Sequence, residues 1–225
     1  MRSPPFTVIF DLDGTLIDTA GDLTAALNSV LAAEKCAPAP IEVVRPLIGH
    51  GARALIEKGL QLNGQAYDDT RLALLTEHFI QYYSAHIADH SVIRHDLRDT
   101  LDAFIREGIK LGICTNKRTQ LANQLLEAIS LEHYFSAVIG SGELPFTKPD
   151  PRMLHVTITE SGGTVERAIM IGDSKTDVDT ARAANVPILL VDFGYTSTPA
   201  RELGADDVIS DWQDLRPLLK KMRLI

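Results

Sequence analysis

Two aspartates, Asp11 and Asp13, stand one residue apart at the end of an apolar run in VIFDLDGTLIDT, and a glycine and a threonine follow at once. A carboxylate at such a strand end can attack phosphorus in line, giving an acyl phosphate that water later hydrolyses. A second carboxylate two residues further along extended chain projects to the same side, where it can handle the proton of the leaving oxygen. These types and this spacing make Asp11 the candidate nucleophile and Asp13 the candidate acid/base. Gly14 permits the turn that takes the backbone away, and Thr15 braces it. Asp and Gly are also ordinary turn residues, so the reading needs support from elsewhere in the chain.

That support comes from three later segments. Thr115 and Asn116 end the run IKLGICT, Lys148 stands just before PDP, and Asp173 ends AIMIGD with Asp177 four residues beyond it. Taken alone, Asp173 fits a helix N-cap and Lys148 a solvated surface lysine. Brought together, they form a phosphoryl-transfer set. Thr115 and Asn116 are expected to grip phosphoryl oxygens with a hydroxyl and with amide N–H groups at the start of the next helix. Lys148 neutralises the transferring group. Two carboxylates about 4 Å apart repel by roughly 4 kcal/mol at an effective dielectric near 20, so three of them need more than one lysine. Oxygen-only ligation without His or Cys selects a hard ion, and Mg²⁺ held by Asp11, Asp173 and the main-chain carbonyl of Asp13 is the expectation. Asp177 is left with two uses, holding the metal's water shell or holding Lys148.

The elements that must position these groups can be read from periodicity. Phe6–Phe10 is short and apolar and reads as a buried strand. From Asp18 to about His90 the pattern is helical: Leu23, Ala26, Leu27, Val30 and Leu31 share one face, and a longer amphipathic stretch follows. Asp18 and Thr19 read as the N-cap of the first of these helices. From Asp96 onward short β runs alternate with amphipathic helices, including one expected to begin at Lys117; this specifies a parallel sheet with helices on both faces. The fold expected is therefore α/β, a Rossmann-like core with an all-helical insert after its first strand. The core takes residues 1–17 and 93–225 and the insert residues 18–92. Ligands in such sheets bind outside the carboxyl ends of the strands, where all the candidate residues fall.

Bulk composition excludes other classes. The chain has 225 residues, 45% of them hydrophobic, and a formal charge of −8. That balance offers no basic stripe for nucleic acid or anionic lipid. The two cysteines, Cys36 and Cys114, are far apart, suggesting neither a disulfide framework nor a zinc site. His78, His86, His90 and His95 share no metal-ligand spacing. No secretory signal or apolar span of about 18 residues is evident, and a cytoplasmic enzyme without membrane or nucleic-acid partners is expected.

DLDGTLIDT, ICTNK, KPDP and GDSKTDVDTARAA resemble, in order and spacing, the four motifs of the haloacid dehalogenase superfamily of phosphohydrolases. The resemblance covers nearly the whole chain, and the helical insert looks like that superfamily's cap. It implies Asp11 as nucleophile, Asp13 as acid/base, Thr115 and Lys148 as phosphate contacts, Mg²⁺ on Asp11, Asp13 and Asp173, and Asp177 as a supporting acid. The second carboxylate argues against a true dehalogenase. VRPLIGHGARALI, DFGYT and LGADDVISDWQDL are similar to the pattern of bacterial phosphoglycolate phosphatases, which implies a small phosphorylated metabolite, 2-phosphoglycolate, as substrate. A phosphosugar phosphatase or a β-phosphoglucomutase would share the core motifs, and a phospho-accepting receiver module would share several of them without the second aspartate. One departure is visible: His95, Asp96 and Leu97 replace a Pro-Gly-Val turn at the return from the insert. Selectivity has to come from the insert, where Gly49 and Gly51 allow a ligand close to the backbone. His50 and Arg53 are the candidates for recognising the leaving group, with solvated arginine as the alternative for Arg53.

Overall fold

A computed structural model describes residues 5–225. Its first strand, β1 (Thr7–Phe10), is buried along its whole length, as a short apolar run without polar alternation requires. After the Asp-x-Asp-Gly turn come β2 (Ile17–Asp18), α1 (Ala20–Ala33), α2 (Ile41–Val44), α3 (Ala52–Leu62) and α4 (Asp69–Ala85). The chain returns through β3 (Val92–Ile93) and then alternates: α5 (Leu97–Arg106), β4 (Lys110–Arg118), α6 (Thr119–Ala128), β5 (Ala137–Ser141), α7 (Pro151–Glu160), β6 (Ala168–Gly172), α8 (Lys175–Ala183) and β7 (Ile188–Val191). It closes with β8 (Asp207–Ile209) and α9 (Leu215–Lys221).

Six strands form one sheet in the order β5-β4-β1-β6-β7-β8, and every ladder in it is parallel. This is the expected α/β class. β1 lies inside the sheet, with Val8 opposite Leu111 on one side and Ile169 on the other. The chain builds outward from β1 to β4 and β5, then crosses back to β6, which puts the topological switch point at the carboxyl end of β1. Asp11 is the first residue past that end.

Side chains alternate between two cores, as a pleated strand demands. Val8, Phe10, Ile113, Ile169 and Ile171 enter one core; Ile9, Cys114, Met170, Ile188 and Leu190 enter the other with Met153, Leu154 and Ile158 of α7. Phe10 meets Trp212 edge-on at 5.8 Å between ring centres. Each fully buried side chain of this size contributes roughly 1.5–3 kcal/mol. The first core runs on into the helical block, where Leu23, Leu27, Val30 and Leu31 of α1 share it with Leu72, Leu75, Phe79 and Tyr83 of α4.

Three local expectations need correction. The stretch 18–92 is not purely helical at its ends: Ile17 pairs with Ile93 and Asp18 with Val92 in an antiparallel ribbon. Two residues per strand are too few for alternation to register in a sequence. β4 runs on to Arg118, so the following helix begins at Thr119 and not at Lys117. Thr19 precedes α1 but makes no side-chain cap; Asp18 Oδ1 accepts from the Ala20 N–H at 3.2 Å instead. At the return turn, Asp96 accepts from the N–H groups of Trp212 (2.8 Å) and Gln213 (3.3 Å), so this carboxylate ties the start of α5 to the C-terminal segment. No helix among the described residues is long and apolar enough to cross a membrane.

Candidate active site

Asp11 extends the β1–β6 ladder by one bond, its N–H donating to Ile171 at 2.8 Å, which fixes where its side chain leaves the sheet. The Lys148 ammonium reaches it from the β5–α7 connection, with Nζ 2.8 Å from Asp11 Oδ1 and 2.6 Å from Asp177 Oδ1. Asn116 holds that connection in place: its Oδ1 accepts from the Lys148 N–H at 2.9 Å and its Nδ2 donates to the Lys148 carbonyl at 3.2 Å. Asp177 has a second duty. Its Oδ2 accepts from the Ser174 hydroxyl at 2.6 Å and the Ser174 N–H at 3.1 Å, closing the capping box that starts α8. Of the two uses left open for Asp177, its hold on Lys148 is seen directly.

Asp173 ends β6 and faces the same point. Its Oδ1 accepts from the Thr15 hydroxyl at 3.3 Å and its Oδ2 from the Tyr195 N–H at 2.8 Å. Two glycines make room for it. Gly14 has φ +85°, and a Cβ there would lie 2.7 Å from both Asp173 Oδ2 and the Tyr195 ring. A Cβ on Gly194 would meet the Asp173 Cβ at 2.2 Å, so any larger residue displaces this carboxylate. Thr115 is buried beside the cleft, where its Oγ1 accepts from the Lys117 N–H at 3.2 Å.

One carboxylate oxygen from each of Asp11, Asp173 and Asp177 lies within 4.8 Å of the others. Burial pushes the Asp173 carboxyl up to about 8, with the Asp177 and Asp11 charges adding to it. Burial likewise takes Asp11 up to about 6, against the pull of Lys148 and with the push of Asp177. On Lys148, burial works against the charge, yet Asp11 and Asp177 outweigh it and hold the ammonium above its ordinary range. The site therefore carries more negative charge than one lysine compensates. A buried, all-oxygen donor set in that condition fits a hard divalent cation. Within this cluster Asp177 is the carboxylate held both by the Lys148 ammonium and by the α8 cap, at 2.6 Å on each oxygen.

A pH effect follows, and its sign is opposite to that of an ordinary ion-paired aspartate. Asp173 moves from an ordinary 3.8 to about 8 on folding, so the folded chain binds more protons between those values. Its contribution to stability is fully present below about pH 4 and is lost as pH rises through about 8; Asp11 acts in the same sense up to about 6. In chelator, the melting temperature of the parent chain should fall relative to that of Asp173→Asn between pH 5.5 and 8.5, and Mg²⁺ should stabilise the parent more at pH 8.5 than at 5.5. Parallel melting curves for the two chains across that range would show that Asp173 carries no such charge.

Asp13 sits among partners that sequence reasoning did not identify. Lys117 Nζ lies 2.9 and 3.2 Å from its two carboxylate oxygens, and the Thr19 hydroxyl donates to Oδ1 at 2.7 Å. The same ammonium is 2.7 Å from the Tyr83 hydroxyl and 4.4 Å above the Tyr83 ring. The Asp13 carboxylate is thus engaged by Lys117 and Thr19 and is not a member of the Asp11–Asp173–Asp177 cluster. Tyr195 is a further residue that sequence reasoning did not single out. Its hydroxyl accepts from the Thr19 N–H at 2.6 Å and the Ala20 N–H at 3.0 Å and donates to Asp18 at 2.8 Å, pinning the entry to α1 beside the site.

A cleft of about 470 Å³ opens over these groups and is walled on its far side by the helical block. Gly49, His50 and Gly51 line it from the loop before α3, and Asn116 Nδ2 contacts the Gly49 carbonyl at 3.4 Å. Asn116 therefore differs from expectation: it does not stand at a helix N-terminus, and its side chain clamps two backbone segments. Arg53 also lines the cleft, but its guanidinium pairs with Glu57 at 3.1 Å and Asp69 at 2.5 Å within the helical block. Its side chain is 54% exposed. His50 is exposed at the cleft mouth.

The sequence profile of the haloacid dehalogenase-like hydrolases matches residues 8–191. The chain is 46% identical to a phosphoglycolate phosphatase of Caulobacter vibrioides over 93% of its own length and 88% of that protein's. It is 42% identical to a phosphoglycolate phosphatase of Agrobacterium fabrum, covering 97% of this chain and 95% of the other. Among solved structures it is similar to that of a predicted phosphoglycolate phosphatase from Haemophilus somnus 129pt, with a TM-score of 0.89, 25% identity, and coverage of 97% and 99% of the two chains.

Proposed function

This chain belongs to the haloacid dehalogenase-like hydrolase family, and from that premise we propose that it is a Mg²⁺-dependent phosphatase that hydrolyses 2-phosphoglycolate through a phosphoryl group carried on Asp11. The observation that carries the reading is the placement of Asp11: a buried carboxylate at the switch point of the sheet, 2.8 Å from a buried ammonium and beside a second carboxylate that is itself short of positive charge. That is the environment an anionic nucleophile needs to approach an anionic ester. The substrate is drawn from the names of the curated relatives.

Each residue has a task in this proposal. Asp11, Asp173 and the Asp13 carbonyl would hold Mg²⁺, which when bound would supply counter-charge and Lewis acidity to the phosphoryl group. Lys148 orients Asp11 and takes part of the phosphoryl charge, while the Thr115 hydroxyl binds a phosphoryl oxygen. Asp11 attacks phosphorus in line as Asp13 gives its proton to the departing glycolate oxygen. Asp13, now ionised, then accepts a proton from the water that attacks the acyl phosphate, which returns both carboxylates to their starting state. Asp177 and Asn116 act through Lys148 by fixing where its ammonium stands. The proposal divides the chain into a catalytic core, residues 1–17 and 93–225, and a cap, residues 18–92, which covers the reacting centre and excludes competing water. The second aspartate and the cap together disfavour a stable phospho-accepting signalling module.

Steady-state turnover of 2-phosphoglycolate, sugar phosphates and nucleotides, each with Mg²⁺ and with chelator, tests the proposal. The expected outcome is a kcat/KM for 2-phosphoglycolate at least about 100-fold above the others, lost in chelator. A sugar phosphate turned over best would reject the substrate, and full activity in chelator would reject the metal.

A further inference from the structure

Three hydrogen bonds converge on the Asp13 carboxylate. The Thr19 hydroxyl donates to Oδ1 at 2.7 Å, and the Lys117 ammonium meets Oδ1 at 2.9 Å and Oδ2 at 3.2 Å. A carboxylate oxygen has two lone pairs, so Oδ1 has both occupied and Oδ2 keeps one. A proton carried by this residue therefore stands on Oδ2.

The Lys117 head is gripped from its other side as well. Its third N–H donates to the Tyr83 hydroxyl at 2.7 Å, and the ammonium lies 4.4 Å from the centre of the Tyr83 ring. All three donors are then in use, on a side chain that is 4% exposed. A lysine stem is long and flexible, so the place of its ammonium is set by what holds it. Here those holders are a carboxylate beside the sheet and a phenol of the helical block. Tyr83 is itself a fixed point. Its side chain is buried in the core that α4 shares with α1, with the Phe79 ring 6.3 Å away. The next residue fastens the same turn of α4 to α6: the Ser84 hydroxyl donates to Gln124 Oε1 at 2.8 Å, and the Ser84 carbonyl accepts from Gln124 Nε2 at 2.7 Å.

We propose that Tyr83 is a positioning residue for proton transfer to the leaving group, acting through Lys117 on the orientation of Asp13. The inference rests on Asp13 being the acid/base, as proposed above. As Asp11 bonds to phosphorus, the bridging P–O bond breaks with its electron pair passing to the departing oxygen, and that oxygen takes the proton from Asp13 Oδ2. Loss of the Tyr83 hydroxyl leaves one ammonium N–H without its acceptor; the lysine head shifts, and the carboxylate bound to it turns with it. A reacting group misplaced by about 1 Å can cost about 10²-fold in rate. That cost falls on leaving groups that need the proton. Glycolate oxygen does, whereas p-nitrophenolate departs as a stable anion without one.

The test is first-turnover release of glycolate from 2-phosphoglycolate and of nitrophenolate from p-nitrophenyl phosphate, measured by rapid quench with Mg²⁺ in the parent, Tyr83→Phe, Lys117→Met and the double variant. Tyr83→Phe keeps the buried ring. It should slow glycolate release about tenfold, leave the steady-state KM within about twofold of the parent, and slow nitrophenolate release by less than about threefold. Lys117→Met should show the same dependence on the ester with a larger loss, about 100-fold on glycolate release. Adding Tyr83→Phe to that variant should cost no further rate, because the relay is already cut. Equal losses on both esters in Tyr83→Phe would overturn the inference, since a packing role slows both alike. Glycolate release within about twofold of the parent would overturn it too, and so would a full tenfold loss, or about that, on adding Tyr83→Phe to Lys117→Met. Asp13→Asn separates the inference from the reading beneath it: equal losses on both esters in that variant would reject Asp13 as the acid itself.

Discussion

Asp11→Asn is expected to lower kcat by at least about 10⁴-fold on every phosphate ester, while the chain remains folded. The amide has the size and shape of the carboxylate, keeps the main-chain bond to Ile171, and loses the negative oxygen proposed as the nucleophile. Stability should not suffer. Burial already works against the Asp11 charge, and Lys148 retains Asp177 as its partner at 2.6 Å. Circular dichroism and thermal melting should therefore match the parent while turnover disappears. Retention of activity within about tenfold by a freshly prepared variant would remove Asp11 from the chemistry.

Lys148→Met should damage activity and stability together. The ammonium is 3% exposed and stands between Asp11 and the fully buried Asp177, so its loss strands two carboxylates in the interior. Breaking a buried pair by removing one partner costs about 3–5 kcal/mol, because the remaining charge is left without compensation. Urea unfolding in chelator should show a loss of that order, and Mg²⁺ should recover only part of it, since Asp177 remains committed to capping α8. Turnover with saturating Mg²⁺ should still be down by about 10³-fold, because the phosphoryl group has lost its second counter-charge. A variant as stable as the parent would mean that the three groups do not form one electrostatic unit.

The grouping of Asp11, Thr115 and Asp173 was legible because these residues lie at ends of apolar runs. Val8–Phe10, IKLGICT and AIMIG are recognisable strands, and a parallel sheet collects their carboxyl ends at one edge whatever the intervening loops do. Other features had no such signal. β8 is three residues long and begins with an aspartate, so neither length nor alternation marks it. Lys117 reads as an ordinary polar residue at a strand end, and only tertiary contact with Asp13 and Tyr83, 104 and 34 residues away, shows it to be buried. Its one clue is adjacency to Thr115 and Asn116. Arg53 has partners that proximity alone does not show. Sequence proximity to Gly49–Gly51 suggested a ligand contact, yet Glu57 lies four residues on, a helical pairing that could have been read, and Asp69 completes its neutralisation from α4. Tyr195 joins the Asp173 carboxylate to the entry of α1 through its backbone and its hydroxyl, a link between sheet and helical block that no local pattern encodes.

A phosphoryl group on Asp11 is the central claim, and it can be seen directly. The protein is mixed with excess 2-phosphoglycolate and Mg²⁺, quenched in acid within the first turnover, digested, and read by mass spectrometry. The peptide containing Asp11 should carry one phosphoryl group, in an amount that rises and decays with turnover and is absent from Asp11→Asn. Unmodified Asp11 throughout a burst of released glycolate, or a phosphoryl group on a different residue, would contradict it.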